Sequence, residues 1–168
     1  GDLARLPALA AHGLVASVQP THFHPVYVET IARVLGPERM RREYPLASLL
    51  RAGLPLALNS DWPAAMSFAP MENLRAAVGH GVAAQDAVAH DAAAHDAADG
   101  SEALTPAEAL HALTWGNAFA ARRERDLGAI AAGYCADAVL LDGDPLAMPP
   151  PRVRATMIAG EWVWRPPR

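Results

Sequence analysis

The stretch LPLALNSD, residues 54–61, joins an apolar run directly to a polar triplet. Its first part, Leu54–Leu58, is apolar throughout instead of alternating, which is typical of a strand buried on both faces, as in a parallel sheet. The polar residues Asn59, Ser60 and Asp61 follow without a spacer. We therefore expect a buried strand that ends immediately before a polar loop.

A second apolar run, Leu14–Val18, comes earlier in the chain and ends before Pro20, and a loop is expected at residues 21–25. Helical patterns cover residues 26–35 and Pro45–Ala52, between the two runs. Strands that alternate with helices predict βαβ units and a parallel sheet. Because two strands alone do not make a parallel sheet covered on both faces, we expect further strands outside this chain.

Two other segments, residues 3–12 and 71–78, have helical patterns. Residues 80–100 are rich in Ala, His and Asp, which predicts a solvated helix or a loose insertion. We expect its histidines to be solvated. His90 and His95 are five positions apart, not the three or four that would place two ligands on one helical face.

A helix start is encoded at Thr105–Glu108, where an N-cap Thr, a Pro at the first helical position and a Glu three residues after the cap occur together. The helix is expected to run to about Thr114 and to be broken by Gly116 and Asn117. After Gly128 the pattern changes to short strands separated by Gly/Asp turns.

The tail is predicted to form three short strands, at residues 138–141, 153–158 and 161–164. The last two would pair as a hairpin around Ala159 and Gly160. Trp162 and Trp164 lie two positions apart on the last strand and would therefore share one face, which we expect to be buried against the rest of a β-sandwich.

Composition excludes several classes of function. The chain has 168 residues, 52% of them hydrophobic, which suits one domain with a sizeable core. A formal net charge of −4, without a basic stripe, argues against a nucleic-acid partner. No apolar run approaches the roughly 18 residues of a membrane span. Cys135 is the only cysteine, so an internal disulfide and a cysteine-cluster metal site are excluded.

Seven short segments, in their order and spacing, resemble the C-terminal third of the amidohydrolase superfamily, specifically the amidohydrolase family 3 branch. They are SVQPTH at 17–22, SDWP at 60–63, LTPAEAL at 104–110, GAIAAG at 128–133, ADAVLLD at 136–142, DPL at 144–146 and AGE at 159–161.

The resemblance implies an α/β fold: the last two βα units of the (β/α)8 TIM barrel of a metal-dependent hydrolase, plus the C-terminal part of a β-sandwich. Leu14–Val18 and Leu54–Leu58 would be barrel strands seven and eight. Residues 1–127 would belong to the barrel and 128–168 to the composite sandwich. Active sites of such barrels lie at the carboxyl ends of the strands.

The resemblance also implies site residues. Asp61 would be the strand-eight aspartate, which touches the metal and shuttles the proton of the attacking water to the leaving nitrogen. His22 would contact the substrate, and Asn59 and Trp62 would line the pocket. The alternatives are that Asp61 caps the following turn, that His22 is a solvated loop residue, and that Asn59 and Trp62 pack under the loop.

The pair His22 and His24 has the spacing of the family's first metal motif, which lies on strand one. Asp61 follows His24 by only 61 − 24 = 37 residues, whereas a single βαβ unit takes about 30 or more, so the intervening barrel units cannot fit. His24 is therefore expected to be a loop residue. The resemblance implies a divalent metal, with zinc expected, most of whose ligands lie upstream of this chain.

The expected activity is metal-dependent hydrolysis of carbon–nitrogen bonds in a small amide-type substrate, not a peptide, by a bacterial-type enzyme. The isolated chain is expected to be inactive, because it needs the N-terminal part of the barrel; a second copy is a candidate partner. Two alternatives stay open: a non-catalytic α/β binding or scaffold protein, and a cyclic-amidase or deaminase branch of the same superfamily. Localisation is open, with the cytoplasm expected.

Overall fold

The computed structural model describes residues 2–23, 25–40, 42–64, 67–79, 102–147 and 151–167. The helices are α1 (Leu6–Ala11), α2 (Pro25–Leu35), α3 (Pro37–Met40), α4 (Leu46–Arg51), α5 (Pro70–Val78), α6 (Pro106–His111) and α7 (Asn117–Ala120), with 3-10 turns at Leu3–Arg5 and Pro20–His22 and a π-helical turn at Ala112–Gly116. The strands are β1 (Ala16–Val18), β2 (Leu56–Leu58), β3 (Ala138–Leu141), β4 (Val153–Ile158) and β5 (Glu161–Trp164).

Strands β1 and β2 form a parallel pair, as the apolar runs predict. Their register pairs Ala16 with Leu56 and Val18 with Leu58, so the two strands end at the same level. All three residues of β2 are buried. The parallel pairing is therefore confirmed, although each strand begins two residues later than its apolar run.

The same joint leads from a helix into each of these strands. After α4, Gly53 adopts a φ of 86°, its N–H donates to the Leu50 carbonyl, and the Leu54 N–H donates to the Leu49 carbonyl. This is a Schellman motif, in which a residue with positive φ ends the helix. Gly13 makes the equivalent turn between α1 and β1. The start of each apolar run is thus part of a helix cap.

The main core lies around β2. Leu56 and Leu58 pack with apolar residues of α4, α5 and α6. The other buried members of this cluster are Leu46, Ala47, Leu74, Ala77, Leu104, Ala109 and Ala112. Burial of such side chains contributes about 25 cal/mol per Å² of apolar surface removed from water, so this cluster is the main source of stability around the strand pair.

The helix that begins at Pro106 continues to Ala120, so the prediction of a break at Gly116 and Asn117 is wrong. The chain passes through the π-helical turn without leaving the helix. Gly116 is required there for a different reason: a Cβ atom on it would lie 1.8 Å from the Leu56 carbonyl oxygen. Asn117 adds a bond to β2, because its Nδ2 donates to the Leu58 carbonyl at 2.8 Å.

The N-terminal cap of α6 is the predicted capping box. The Glu108 N–H donates to the Thr105 hydroxyl oxygen, and the Thr105 N–H donates to the Glu108 carboxylate. The helix start read from the sequence is therefore confirmed.

Strands β3, β4 and β5 form an antiparallel sheet in that order. The β4–β5 hairpin turns at Ala159 and Gly160, which both have positive φ, as a two-residue type I′ turn requires. Trp162 and Trp164 are 44% and 46% exposed. Within the described part of the chain, the face that carries them is therefore only partly buried, and its burial against the rest of a sandwich stays a prediction.

The insertion predicted at residues 80–100 lies outside the described residues, but both of its flanks are anchored. The Leu104 N–H donates to the Ala77 carbonyl at 3.0 Å. The Glu102 carboxylate accepts hydrogen bonds from the Ser48 N–H at 2.7 Å and the Ser48 hydroxyl at 2.6 Å. Glu102 thereby caps the first turn of α4. None of the helices in the described ranges is long and apolar enough to cross a membrane.

Candidate functional site

The predicted site residues lie beyond the carboxyl ends of the parallel pair. His22 follows the end of β1 by four residues, and Asp61 follows the end of β2 by three. Because β1 and β2 are parallel and end in register, both loops leave the same edge of the sheet. Ligands of parallel α/β proteins bind at this edge.

The Asp61 side chain is exposed, and its backbone has a φ of 56°, which an aspartate tolerates better than most residues. No hydrogen bond to its carboxylate is found within the described ranges. The side-chain caps of this turn belong to its neighbours: the Ser60 hydroxyl accepts from the Trp62 N–H at 3.3 Å. The alternative that the Asp61 carboxylate serves as a turn cap therefore has no support in these contacts.

Asn59 ties the ends of the two strands together. Its Nδ2 donates to the Ser17 hydroxyl oxygen at 2.8 Å, and its Oδ1 accepts from Gln19 Nε2 at 3.1 Å. The same Oδ1 accepts from the Asp61 N–H at 3.2 Å. These bonds hold Asp61 in place relative to β1. That Asn59 also contacts the substrate stays a prediction.

His22 is half-buried at the end of the 3-10 turn that follows β1. Its N–H donates to the Gln19 carbonyl at 2.9 Å. Helix α5 holds this turn in place, because the Thr21 hydroxyl donates to Oδ1 of the buried Asn73 at 3.3 Å. The His22 ring is thus held on a rigid turn at the carboxyl edge. His24 lies outside the described residues.

Trp62 is 62% exposed, so it does not pack under the loop. Its ring meets the ring of Phe68 edge-on, with 5.9 Å between centroids, and Phe68 is exposed as well. The two aromatic side chains form a ridge beside Asp61, in a position where they can border a pocket. The role of Trp62 in substrate binding stays a prediction.

Tyr44 lies in this neighbourhood, because its ring meets that of Phe23, the residue after His22, edge-on, and Glu43 directly precedes it. Burial, the Glu43 charge and the Asp61 charge together hold the pKa of Tyr44 above its ordinary value. Burial also raises the pKa of the Glu43 carboxyl. Sequence reasoning missed both residues. The available signal was their position just before the helix that returns to β2, which places them at the carboxyl edge.

A cavity of about 420 Å³ lies elsewhere, at the amino end of β2, where it is lined by Gly53, Leu54 and Pro55 together with Trp115 of the π-helical turn. It is at the opposite end of the strand from Asp61. It therefore does not belong to the candidate site.

The described residues do not make a complete metal site. They contain no group of three or more His, Cys, Asp or Glu side chains able to hold an ion. A catalytic zinc typically takes three protein ligands. Asp61, whose carboxylate is exposed and accepts no hydrogen bond from the described residues, can supply one of them. The other ligands would have to come from outside the described residues.

Comparison with known proteins agrees with the resemblance read from the sequence. Residues 3–164 match the family model described as "Amidohydrolase family". The protein LONG AFTER FAR-RED 3 of Arabidopsis thaliana is 36% identical over 129 residues, which cover 76% of this chain and 20% of that protein.

Two solved structures share the fold. An uncharacterized metal-dependent hydrolase from Pyrococcus horikoshii OT3 matches with a TM-score of 0.67 and 25% identity, over 86% of this chain and 27% of the other. An amidohydrolase from Thermotoga maritima MSB8 matches with a TM-score of 0.63 and 20% identity, over 98% of this chain and 35% of the other. The chain thus spans between a fifth and about a third of the length of these relatives.

Proposed function

The chain belongs to the amidohydrolase family, and from this membership we propose that it forms the closing part of the catalytic domain of a metal-dependent hydrolase. The substrate would be a small molecule whose carbon–nitrogen bond is not a peptide bond. One observation carries the proposal: the in-register parallel pair brings the loops of His22 and Asp61 to one edge, where the Asp61 carboxylate is exposed.

The architecture supports the same proposal. Strands β1 and β2, each entered from a helix through the same Schellman joint, would be the seventh and eighth strands of a (β/α)8 barrel. Residues 1–127 would form this barrel portion, and residues 128–168 would be the C-terminal strands of the sandwich. The likeness in fold to a metal-dependent hydrolase over 86% of the chain supports a hydrolase as the parent protein.

In the proposed reaction, Asp61 moves the proton. Its carboxylate accepts the proton of the attacking water and delivers it to the leaving nitrogen, which would otherwise depart poorly as an amide anion. A divalent metal, with zinc the first choice, lowers the pKa of water and polarises the substrate carbonyl when it is bound. His22, on its rigid turn, would contact the substrate, and Trp62 would border the pocket together with Asn59.

Asp61 can perform this role because its carboxylate has no competing hydrogen bond in the described part of the chain. The bond from its N–H to Asn59 fixes the backbone of the loop at the point where the carboxylate branches from it. The remaining metal ligands would come from the rest of the barrel. The isolated residues 1–168 are therefore expected to bind a divalent metal poorly and to hydrolyse nothing.

The test is Asp61→Asn in the complete protein that contains these residues, assayed with a panel of small amides, N-formyl amines and cyclic amides in the presence of zinc. We expect kcat to fall at least about 100-fold, the typical contribution of a positioned general acid–base. Glu72→Gln, which removes an exposed carboxylate on α5, is the matched control and should retain activity.

An Asp61→Asn variant with the activity of the control would contradict the proposed role of Asp61. Zinc-dependent turnover by the isolated 168 residues would contradict the proposal that the other ligands lie outside them. The substrate profile also decides between linear and cyclic amides.

A further inference from the structure

We propose that Tyr44 is a further residue of this site and that its hydroxyl contacts the substrate beside Asp61. The inference rests on the proposed function, because it assumes that a substrate binds at the carboxyl edge of β1 and β2. It assigns a substrate contact to a residue on the segment that returns from β1 to β2, outside both loops that follow the strands.

The path of the chain places Tyr44 at the correct edge. Because β1 and β2 are parallel, the segment between them must return from the carboxyl edge to the amino edge. Helix α4 makes the last part of this return, since Gly53 leads from its end directly into β2. Tyr44 lies two residues before the first residue of α4. It therefore stands at the end of the return where the site lies.

The Tyr44 ring is anchored beside the loop that carries His22. It meets the ring of Phe23 edge-on, with 6.1 Å between centroids and 71° between planes. Phe23 directly follows His22 and is buried with Met40. An edge-on aromatic contact with a buried ring restricts where the hydroxyl can point. The hydroxyl is thus presented from a fixed base.

The hydroxyl itself has no hydrogen-bond partner in the described part of the chain, although the residue is half-buried. Its oxygen is not among the buried side-chain atoms that lack a partner, so it reaches the surface and is accessible to a ligand. A substrate carbonyl or amine at the carboxyl edge would accept or donate a hydrogen bond there.

The backbone at Tyr44 is strained. Its φ is 48°, in the left-handed region that bulky side chains rarely adopt. The only other residue near the candidate site with this conformation, within the described ranges, is Asp61. Strained backbone of this kind concentrates at functional sites. An unstrained residue, such as glycine, would fit the turn but would not provide the ring and hydroxyl.

Electrostatics agree with the placement. The Asp61 charge contributes to the raised pKa of Tyr44, after burial and Glu43. The neutral phenol persists at physiological pH and can donate a hydrogen bond.

The kinetic experiment compares Tyr44→Phe with Tyr134→Phe in the complete protein. Tyr44→Phe keeps the ring on Phe23 and removes only the hydroxyl. We expect kcat/KM to fall about 10-fold, the effect of one hydrogen bond to substrate, with no change in melting temperature. Tyr134 donates to the Glu124 carbonyl in the tail. Its Tyr→Phe change should leave kcat/KM unchanged.

A binding experiment does not depend on turnover. In the complete protein labelled with 3-fluorotyrosine, the fluorine resonance of Tyr44 is identified by its loss in Tyr44→Phe. We expect it to shift in Asp61→Asn and on titration with acetamide, while the Tyr134 resonance stays in place. If no amide is hydrolysed, the proposed function fails, yet the acetamide titration still decides the role of Tyr44. A Tyr44 resonance that acetamide does not move would overturn the inference.

Discussion

Gly116 lies so close to the Leu56 carbonyl that no side chain can replace its hydrogen. We predict that Gly116→Ala destabilises the chain by about 3 kcal/mol, because the helix or β2 must move to relieve the collision. Urea unfolding of the variant measures the change. Gly143→Ala is the control, since its Cβ would meet Pro151 at an ordinary 3.6 Å. Equal stability of the two variants would show that the helix does not press on the strand.

The sequence singled out Asp61 and His22 through the family resemblance, and the apolar runs before them placed both at the carboxyl edge. It misread Gly116, since a glycine in a helical pattern indicates a break unless its close approach to another strand is known. Tyr44 was missed because the observations that point to it are not local. Its proposed role rests on the return path of the chain and on the contact with Phe23, and neither is visible in local spacing.

At the scale of elements, the capping box of α6 links stability to pH. The hydrogen bonds from Thr105 lower the pKa of Glu108. A carboxyl whose pKa is lowered by folding contributes stability above its unfolded pKa, and this contribution is lost as the pH falls through its folded pKa. The stabilisation by the box is therefore complete at neutral pH and disappears in acid.

We predict that Thr105→Ala costs about 1 kcal/mol at pH 7, typical for an N-cap, and clearly less once the pH is below the lowered pKa of Glu108. Thermal unfolding at both pH values checks this. Thr114→Ala is the control, because the Thr114 hydroxyl donates to the Leu110 carbonyl and no carboxylate takes part. A cost of Thr105→Ala that is independent of pH would contradict the reciprocal bond to Glu108.

The types of the helices and strands could be predicted from the sequence, but the residues at which the strands begin could be predicted less well. The apolar runs identified β1 and β2 correctly, but the first residues of each run belong to the preceding helix cap. The Leu14 N–H donates to the Leu9 carbonyl, and the Leu54 N–H donates to the Leu49 carbonyl. Hydropathy cannot separate a residue that closes a helix from one that opens a strand.

For the whole molecule, the tail sheet is an exposed apolar surface. Its strands present large side chains that are between 39% and 56% exposed, namely Val139, Leu140, Val153, Ile158, Trp162, Val163 and Trp164. Exposed apolar surface of this extent marks a contact with another surface. In the proposed sandwich, the contact would be with strands contributed by the rest of the protein.

We predict that the isolated 168 residues self-associate at micromolar concentration through this sheet. Sedimentation velocity over a range of concentrations measures the association. Val163→Lys should weaken it, because a lysine on an edge strand opposes sheet-to-sheet pairing. Arg154→Lys, on β4, keeps the charge and serves as the control. A single monomeric species at all concentrations would contradict this role of the sheet.

The order and spacing of seven short segments were sufficient for the family, because each segment is local. The closure of a barrel and the burial of the tail are not local properties. They depend on contacts between distant strands, and the exposed face of Trp162 and Trp164 shows that residues 128–168 do not bury themselves.

The bond from Leu104 to Ala77 closes a loop in the chain, and the Glu102 carboxylate fastens the same junction to α4. These bonds hold the alignment of β1 and β2, which therefore does not depend on the residues between Ala77 and Glu102. We therefore expect Asp61 and Tyr44 to keep their places when the length or composition of the sequence changes at this junction.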